Sequence, residues 1–305
     1  MASYVLKRLA LSFVVLFCVS VITFALVRLA GDPAVAVAGQ DATEAELEAV
    51  RVAMGFNRPL AVQYVEWLGR VASGDLGYSN ILRRPVLDVM VERIPVTATL
   101  AGLSLLVAVS VAFPLGILSA LHPNSWIDRL SLSLAVVGQA LPNFFFGLML
   151  IMAFAVTFRW FPVSGDSGLR SFVLPAIALG YSSAPPIMRL IRSGMIEVLE
   201  SDYIRTARAM GLARHRIVLR HALRNAVLPV VSLMAVQLGF MLSGSIIVET
   251  VFSMNGLGRL GWQSIQRTDL EMMQALVMVI SMVYLVLILL ADILNGYLDP
   301  RIRIR

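Results

Sequence analysis

Six long stretches of this chain are apolar and carry no charge. They are Leu9–Val27, Val96–Leu121, Ser131–Thr157, Ser171 to about Met188, Ala226–Val248 and Met272–Ala291. An uncharged apolar run of about 18 residues or more is long enough to cross a bilayer as a helix. The pattern therefore predicts an all-α integral membrane protein with six transmembrane helices. Pro175, Pro185 and Pro186 interrupt the fourth run, the least regular of the six. The first run exceeds the 7–15 apolar residues typical of a signal peptide. Arg28 sits two positions before the only small-residue exit, Ala30, so the run reads as an uncleaved anchor.

Between the first two runs the pattern changes. Residues 31–95 mix both charge signs and hold no long apolar run. Thr43-Glu44-Ala45-Glu46 is a capping box and predicts a helix from Glu44 to about Met54, ending near Gly55. A second amphipathic helix is expected from Pro85 to Arg93, with Pro95 breaking the chain before the second span. The organisation expected is a tail and first span (1–30), an extracytoplasmic segment (31–95) and a core of five spans (96–305).

Composition agrees with the membrane assignment. Apolar residues make up 58% and charged residues 14%, against roughly 45–50% and about 25% in soluble domains. Of the 25 basic residues, Lys7 is the one lysine. It stands in no GxxxxGK[ST] loop, so this chain has no such nucleotide-binding loop. Cys18 is the single cysteine, which excludes an internal disulfide or a CxxC metal site, and it reads as a buried small apolar residue. His122, His215 and His221 form no metal-binding pattern. No catalytic residue and no metal ligand are assigned.

Basic residues set the expected orientation. Lys7 and Arg8 precede the first span. Eight arginines, from Arg189 to Arg224, lie between the fourth and fifth, and Arg301, Arg303 and Arg305 end the chain. Six crossings put all of these, and Arg129, on one side. That side is assigned to the cytoplasm, with both termini there.

The span cores lack Asp, Glu, Lys, Arg and His, which argues against coupling to an ion gradient and against embedded acid–base chemistry. They do hold Gln139, Pro142, Asn143, Gln237, Gly239 and Ser243. Pro142 is expected to kink the third span. Gln139, Asn143, Gln237 and Ser243 are candidates for lining a translocation path, and interhelical packing is the competing reading. Gly239 and Ser243, four apart, suit close helix approach. Glu249, at the outer end of the fifth span, fits a structural hydrogen bond better than a ligand contact.

The most distinctive segment is ESDYIRTARAMGLARHRIVLRHALRNAVLP, Glu200–Pro229. Ser201 or Asp202 is placed to cap a helix starting at Tyr203, with Tyr203, Thr206, Ala207 and Met210 on one face. Gly211 suits a left-handed stop. A second basic helix is expected from about His215 to Asn225. By charge alone the arginines suit anionic lipid and topology, or a protein dock. Nucleic acid fits poorly with a cluster tied between membrane helices.

RTARAMGLARHRIVLRHALRNAVLP resembles the cytoplasmic loop of ATP-binding-cassette importer permeases of the dipeptide/oligopeptide/nickel class. The general E-A-A-x-x-x-G form is met here by Arg205, Thr206, Ala207 and Gly211, and the missing Glu matches the peptide-type variant. Other stretches fit in order: GDP (31–33), GDLGYS (74–79), ERIPVTATL (92–100), LPNF (141–144), FPVSG (161–165), VETVFSMNGLGRL (248–260) and DPRIR (299–303). The resemblance implies half of a translocation pathway for peptides or related small solutes. Its implied partners are a second permease, two cytoplasmic ATPases that hold ATP and magnesium, and an external binding protein. It assigns coupling to Arg205, Thr206, Ala207, Met210, Gly211 and Leu212, through a helix seated in an ATPase groove. Segment 31–95 and the loop at Gly256–Gly258 then face the binding protein, with the two glycines serving turn geometry. An ion-coupled carrier or channel is the alternative, and a membrane scaffold or receptor a third.

Overall fold

The computed structural model describes residues 2–39 and 41–298, and they are mostly helical. The first anchor is α1 (Ala2–Ala30). The Asp32 carboxylate accepts the Ala34 amide at 2.9 Å and starts α2 (Pro33–Ala38). The expected capping box then forms. The Glu46 amide donates to Thr43 Oγ1 and the Thr43 amide to Glu46 Oε2, opening α3 (Glu44–Ala53). Next, α4 (Leu60–Ala72) lies along α1. The Tyr64 and Ser20 hydroxyls are 2.7 Å apart, and Phe24 packs on Tyr64 and Trp67. A two-stranded antiparallel ribbon, β1 (Tyr78–Ser79) and β2 (Arg84–Pro85), leads into the core.

The core begins with α5 (Val86–Leu121), which runs without interruption through Pro95 and Pro114. The expected break at Pro95 is therefore corrected: the short outer helix and the second span are one helix. A proline removes one bond, here to the Val91 carbonyl. Val91 is exposed, so that carbonyl is not trapped in the core. The third run behaves in the opposite way. It is not one kinked helix but two, α6 (Trp126–Ala140) and α7 (Asn143–Leu150), bent by 100° and continued as a π-helix over Ile151–Thr157. Next come α8 (Arg170–Gly180), a 3₁₀ turn (Tyr181–Ser183) and α9 (Ala184–Leu199) as one helical run. Pro185 and Pro186 follow the 3₁₀ turn at the start of α9, where the helical hydrogen-bond ladder already changes.

The loop helix is α10 (Asp202–Ala209). The chain returns through α11 (Arg214–Arg216), a π-helical stretch (Ile217–Ala222) and α12 (Leu223–Ala226). It then bends 57° into α13 (Leu228–Val251). The fold ends with α14 (Leu257–Gln266) and α15 (Leu270–Leu298). Among the described residues, four helices are long and apolar enough to cross a membrane, and the two bent pairs add up to two more.

The α8–α9 run is the centre of the bundle. Of its apolar window 72% is buried, against 17% for α1 and for α15. It packs on α5, α6 and α13, with Ile187, Met188, Ile191 and Met195 essentially inaccessible. Cys18 is exposed rather than buried, because peripheral α1 turns only one flank to the protein. Arg8 of α1 pairs with Asp292 of α15 at 3.1 Å, which brings the chain's first and last described helices together at one end. The DPRIR stretch and the three terminal arginines lie outside the described residues.

Candidate functional site

Helix α10 follows the buried α9 after one turn. Ser201 occupies its N-cap, but its hydroxyl donates to the Val198 carbonyl at 2.5 Å and caps nothing. The other end closes as expected. Gly211 takes φ 75°, its amide donates to Arg208 O, and the Leu212 amide reaches Ala207 O. This paired arrangement is a Schellman motif, which satisfies the last carbonyls of the helix. Side chains tie α10 sideways as well: Asn225 Nδ2 donates to the Tyr203 hydroxyl at 2.7 Å, and Arg208 to the Leu199 carbonyl at 3.2 Å.

The predicted face of α10 needs one correction. Ile204 and Ala207, three apart, are buried against their own chain, while Tyr203, Arg205, Thr206 and Met210 are exposed. Ala207 is therefore a packing residue. The surface offered outward is carried by Thr206 and Met210, with Gly211 beyond. Leu212 is half-buried beside a cavity of about 890 Å³ rimmed by Arg205, Arg208 and Arg214.

Close to this helix lies a group that sequence reasoning missed. Asp128, in the first turn of α6, is 2% exposed. Arg192 of α9 grips it with two bonds of 2.7 Å, Nε to Oδ1 and Nη2 to Oδ2. The Ser119 hydroxyl of α5 and the Asn124 amide complete the carboxylate's shell. Three helices thus meet on one ion pair. The available signal was Ser125-x-x-Asp128, an N-cap pattern that forms here.

Among the described residues, no hydrogen bond links Gln139, Asn143 and Gln237 to one another. Gln139 is exposed and accepts from Arg189 Nη1 at 2.9 Å. Asn143 is half-buried at the start of α7. Gln237 is buried and reaches the Ser183 carbonyl at 3.4 Å. Ser243 lies on α13. Gly239 meets the Tyr284 ring so closely that a Cβ would fall 2.1 Å from it, which favours packing at that position. What the structure joins instead are two helix breaks: the Tyr181 hydroxyl, at the 3₁₀ turn, donates to the Leu141 carbonyl just before Pro142.

At the far end of the bundle Glu249 is fully buried. Thr97 Oγ1 donates to its Oε1 at 2.7 Å, and the Arg259 amide to its Oε2 at 2.9 Å. The Leu257 amide donates in turn to Thr97 Oγ1. Gly256 and Gly258 are small for close approach rather than for turn geometry. Gly256 has φ −98° and Gly258 lies inside α14, yet a Cβ on Gly256 would stand 2.4 Å from Glu249 Cδ. The Gly165 amide donates to the Phe252 carbonyl at 2.9 Å. The stretches around Thr97 and Val248–Leu260 therefore meet at this one carboxylate, and the stretch ending at Gly165 joins the second of them at Phe252.

Comparison with known proteins fits this architecture. Residues 112–304 match the family described as binding-protein-dependent transport system inner membrane component, and residues 1–101 match its N-terminal companion. The chain is 40% identical over 304 residues to the glutathione transport system permease protein GsiC of Escherichia coli strain CFT073, covering 99% of both chains. The Shigella flexneri serotype 5b protein of the same name gives the same identity and coverage. Among solved structures, the MetNI methionine ABC transporter in inward-facing conformations matches with TM-score 0.58 at 20% identity. That match covers 69% of this chain and 96% of the other, and supports the fold.

Proposed function

The chain belongs to the binding-protein-dependent transport system inner membrane component family, and from that premise we propose how its parts serve an importer. It is a permease subunit of an ATP-binding-cassette importer, a multi-pass inner-membrane protein. The family implies a second permease, an ATPase and a binding protein as partners. In our reading each bent helix pair counts as one crossing, giving six, with the α10 end and both termini in the cytoplasm. ATP and magnesium stay on two partner ATPases. The cargo is a small peptide, with glutathione or a di- or oligopeptide favoured by the full-length likeness to the glutathione permeases.

The observation that carries the coupling role is the attachment of α10. Its outward face is open, its exit is closed by a Schellman motif, and its flanks are tied to α9 and α12. A displacement of α10 by a docked ATPase is passed to α9. From α9 it reaches α6 and α5 through Arg192, Asp128 and Ser119, and it reaches α13 through α12. Rigid-body rocking of packed helices follows from such ties.

The test is the double variant Thr206→Glu, Met210→Glu in the complete transporter reconstituted in liposomes. Ligand-stimulated ATP hydrolysis and glutathione uptake should fall at least roughly tenfold, since two charges facing an apolar contact cost more than about 1.4 kcal/mol. Membrane insertion should be unchanged. Normal coupling in this variant would remove α10 from the role. Ala207→Glu is the wrong probe, because it damages the chain's own packing.

A further inference from the structure

A polar cavity of about 850 Å³ lies at the far end from α10, between the end of α1, α4 and the first turns of α15. Three buried side-chain atoms of its lining have no hydrogen-bond partner among the described residues: the donors Arg28 Nε and Gln274 Nε2, and the acceptor Gln63 Oε1. Gln274 is 6% exposed. A buried, unmet donor costs about 1–3 kcal/mol, and two beside one cavity ask for an acceptor.

The charges say which kind. The lining holds Arg28, Arg58, Arg70, Glu66 and Glu271. Arg58 and Glu66 pair with each other at 2.6 Å. That leaves two guanidinium groups against one carboxylate, an excess of one positive charge. A singly charged oxyanion fits this balance.

The surroundings say where it comes from. Next to the polar cavity is a second one of about 660 Å³, lined by Val21, Phe24, Ala25 and Leu29 of α1 and by Leu60 of α4. Arg28, Phe56 and Gln63 line both. The Arg28 guanidinium lies over the Phe24 and Phe56 rings at 5.1 and 4.8 Å, on the boundary between them. Charged group and apolar slot thus adjoin at the end of a membrane helix. Guanidinium groups bind phosphate oxygens through charge-assisted hydrogen bonds, and an adjoining apolar slot suits an acyl chain.

We infer that this paired cavity is a phospholipid site in the leaflet opposite α10. The phosphodiester accepts from Arg28, Arg70 and Gln274, and an acyl chain fills the slot against α1. The lipid would hold α4 and its segment against α1 and α15. The inference rests on the membrane placement of the chain and not on its cargo.

The test uses the full-length chain in detergent micelles, with retained lipid read by native mass spectrometry. Phosphatidylglycerol is the probe; glycerol 3-phosphate and inorganic phosphate are the soluble controls. The wild type should retain one phosphatidylglycerol above the non-specific background. Gln274→Met, nearly equal in volume, should weaken retention roughly tenfold, the loss of one charge-assisted hydrogen bond. Ala25→Trp, which fills the slot, should abolish it. The unfolding midpoint should rise with the lipid and not with either control. Equal retention by the wild type and Gln274→Met would overturn the site. Protection by free phosphate that survives Ala25→Trp would overturn the lipid in favour of a soluble anion. If Gln274→Met fails to fold, Arg70→Gln on the exposed rim supplies the same comparison.

Discussion

Each end of the bundle holds a buried carboxylate, Asp128 or Glu249, and the two are held differently. Asp128, near α10, faces a guanidinium that forks onto both its oxygens. Glu249, at the far end, meets a hydroxyl and backbone amides, with no cation paired to its side chain among the described residues. The first arrangement joins three helices through side chains. The second fastens a loop through its backbone amides, which come close because Gly256 and Gly258 carry no side chain. The α10 end, which we propose as the ATPase dock, is thus a charge clamp between helices. The end that shapes a surface is a carboxylate threaded by its own loop.

The largest expected effect comes from breaking the clamp. Asp128→Ala leaves Arg192 with no counter-ion and should cost about 3 kcal/mol, at the low end for a buried pair because Arg192 keeps some water contact. Denaturant unfolding in micelles measures it, and an Asp128/Arg192 double-mutant cycle should return most of it as coupling. Glu249→Gln comes next, at about 2 kcal/mol. It sets an NH₂ group against one of two donors, Thr97 Oγ1 or the Arg259 amide, where an acceptor is needed. If it costs more than Asp128→Ala, the contrast between the two ends fails.

Two glycine variants sharpen the contrast further. Gly256→Ala forces a Cβ into Glu249 and should cost about 1–2 kcal/mol by crowding. Gly211→Ala meets nothing within 4 Å and should cost about 1 kcal/mol from its positive φ alone. Only the first should be relieved by shortening the carboxylate in a Glu249→Asp background.

The smallest effect is at the surface. The Arg51 guanidinium, with help from the Ala34 amide, holds the Asp32 carboxyl below its ordinary range. A lowered folded value means the contact stabilises above the unfolded pKa near 4 and is lost as pH falls through the folded one. Hydrogen-exchange protection of α2 should therefore fall only below about pH 4, and Arg51→Gln should weaken that dependence.

The spans were legible because uncharged runs of bilayer length have few other homes. The capping box at Thr43 and the left-handed stop at Gly211 were legible because their chemistry is local. Prolines were only half legible. Pro95, Pro114 and Pro142 each announce a missing bond, but the bend depends on what takes the freed carbonyls. At Leu141 the neighbouring carbonyl goes to Tyr181, forty residues away. Asp128 was overlooked because charge counting assigns it to a loop, and only Arg192 of a distant helix brings it inside. For α10, spacing told which residues share a face but not which face the chain keeps. Hence Ala207 was read outward and lies inward.

The unbroken passage of α5 through Pro95 has a mechanical corollary. Its 36 residues, at about 1.5 Å each, make a rod of roughly 54 Å, well beyond the hydrocarbon thickness of about 30 Å. Near one tip Val86 and Met90 pack with Leu260 and Met272; near the other Ser119 touches Asp128. A rod without a joint has one orientation. If partners at the two surfaces each favour one tilt of this rod, each biases the same coordinate and feels the other by an equal free energy.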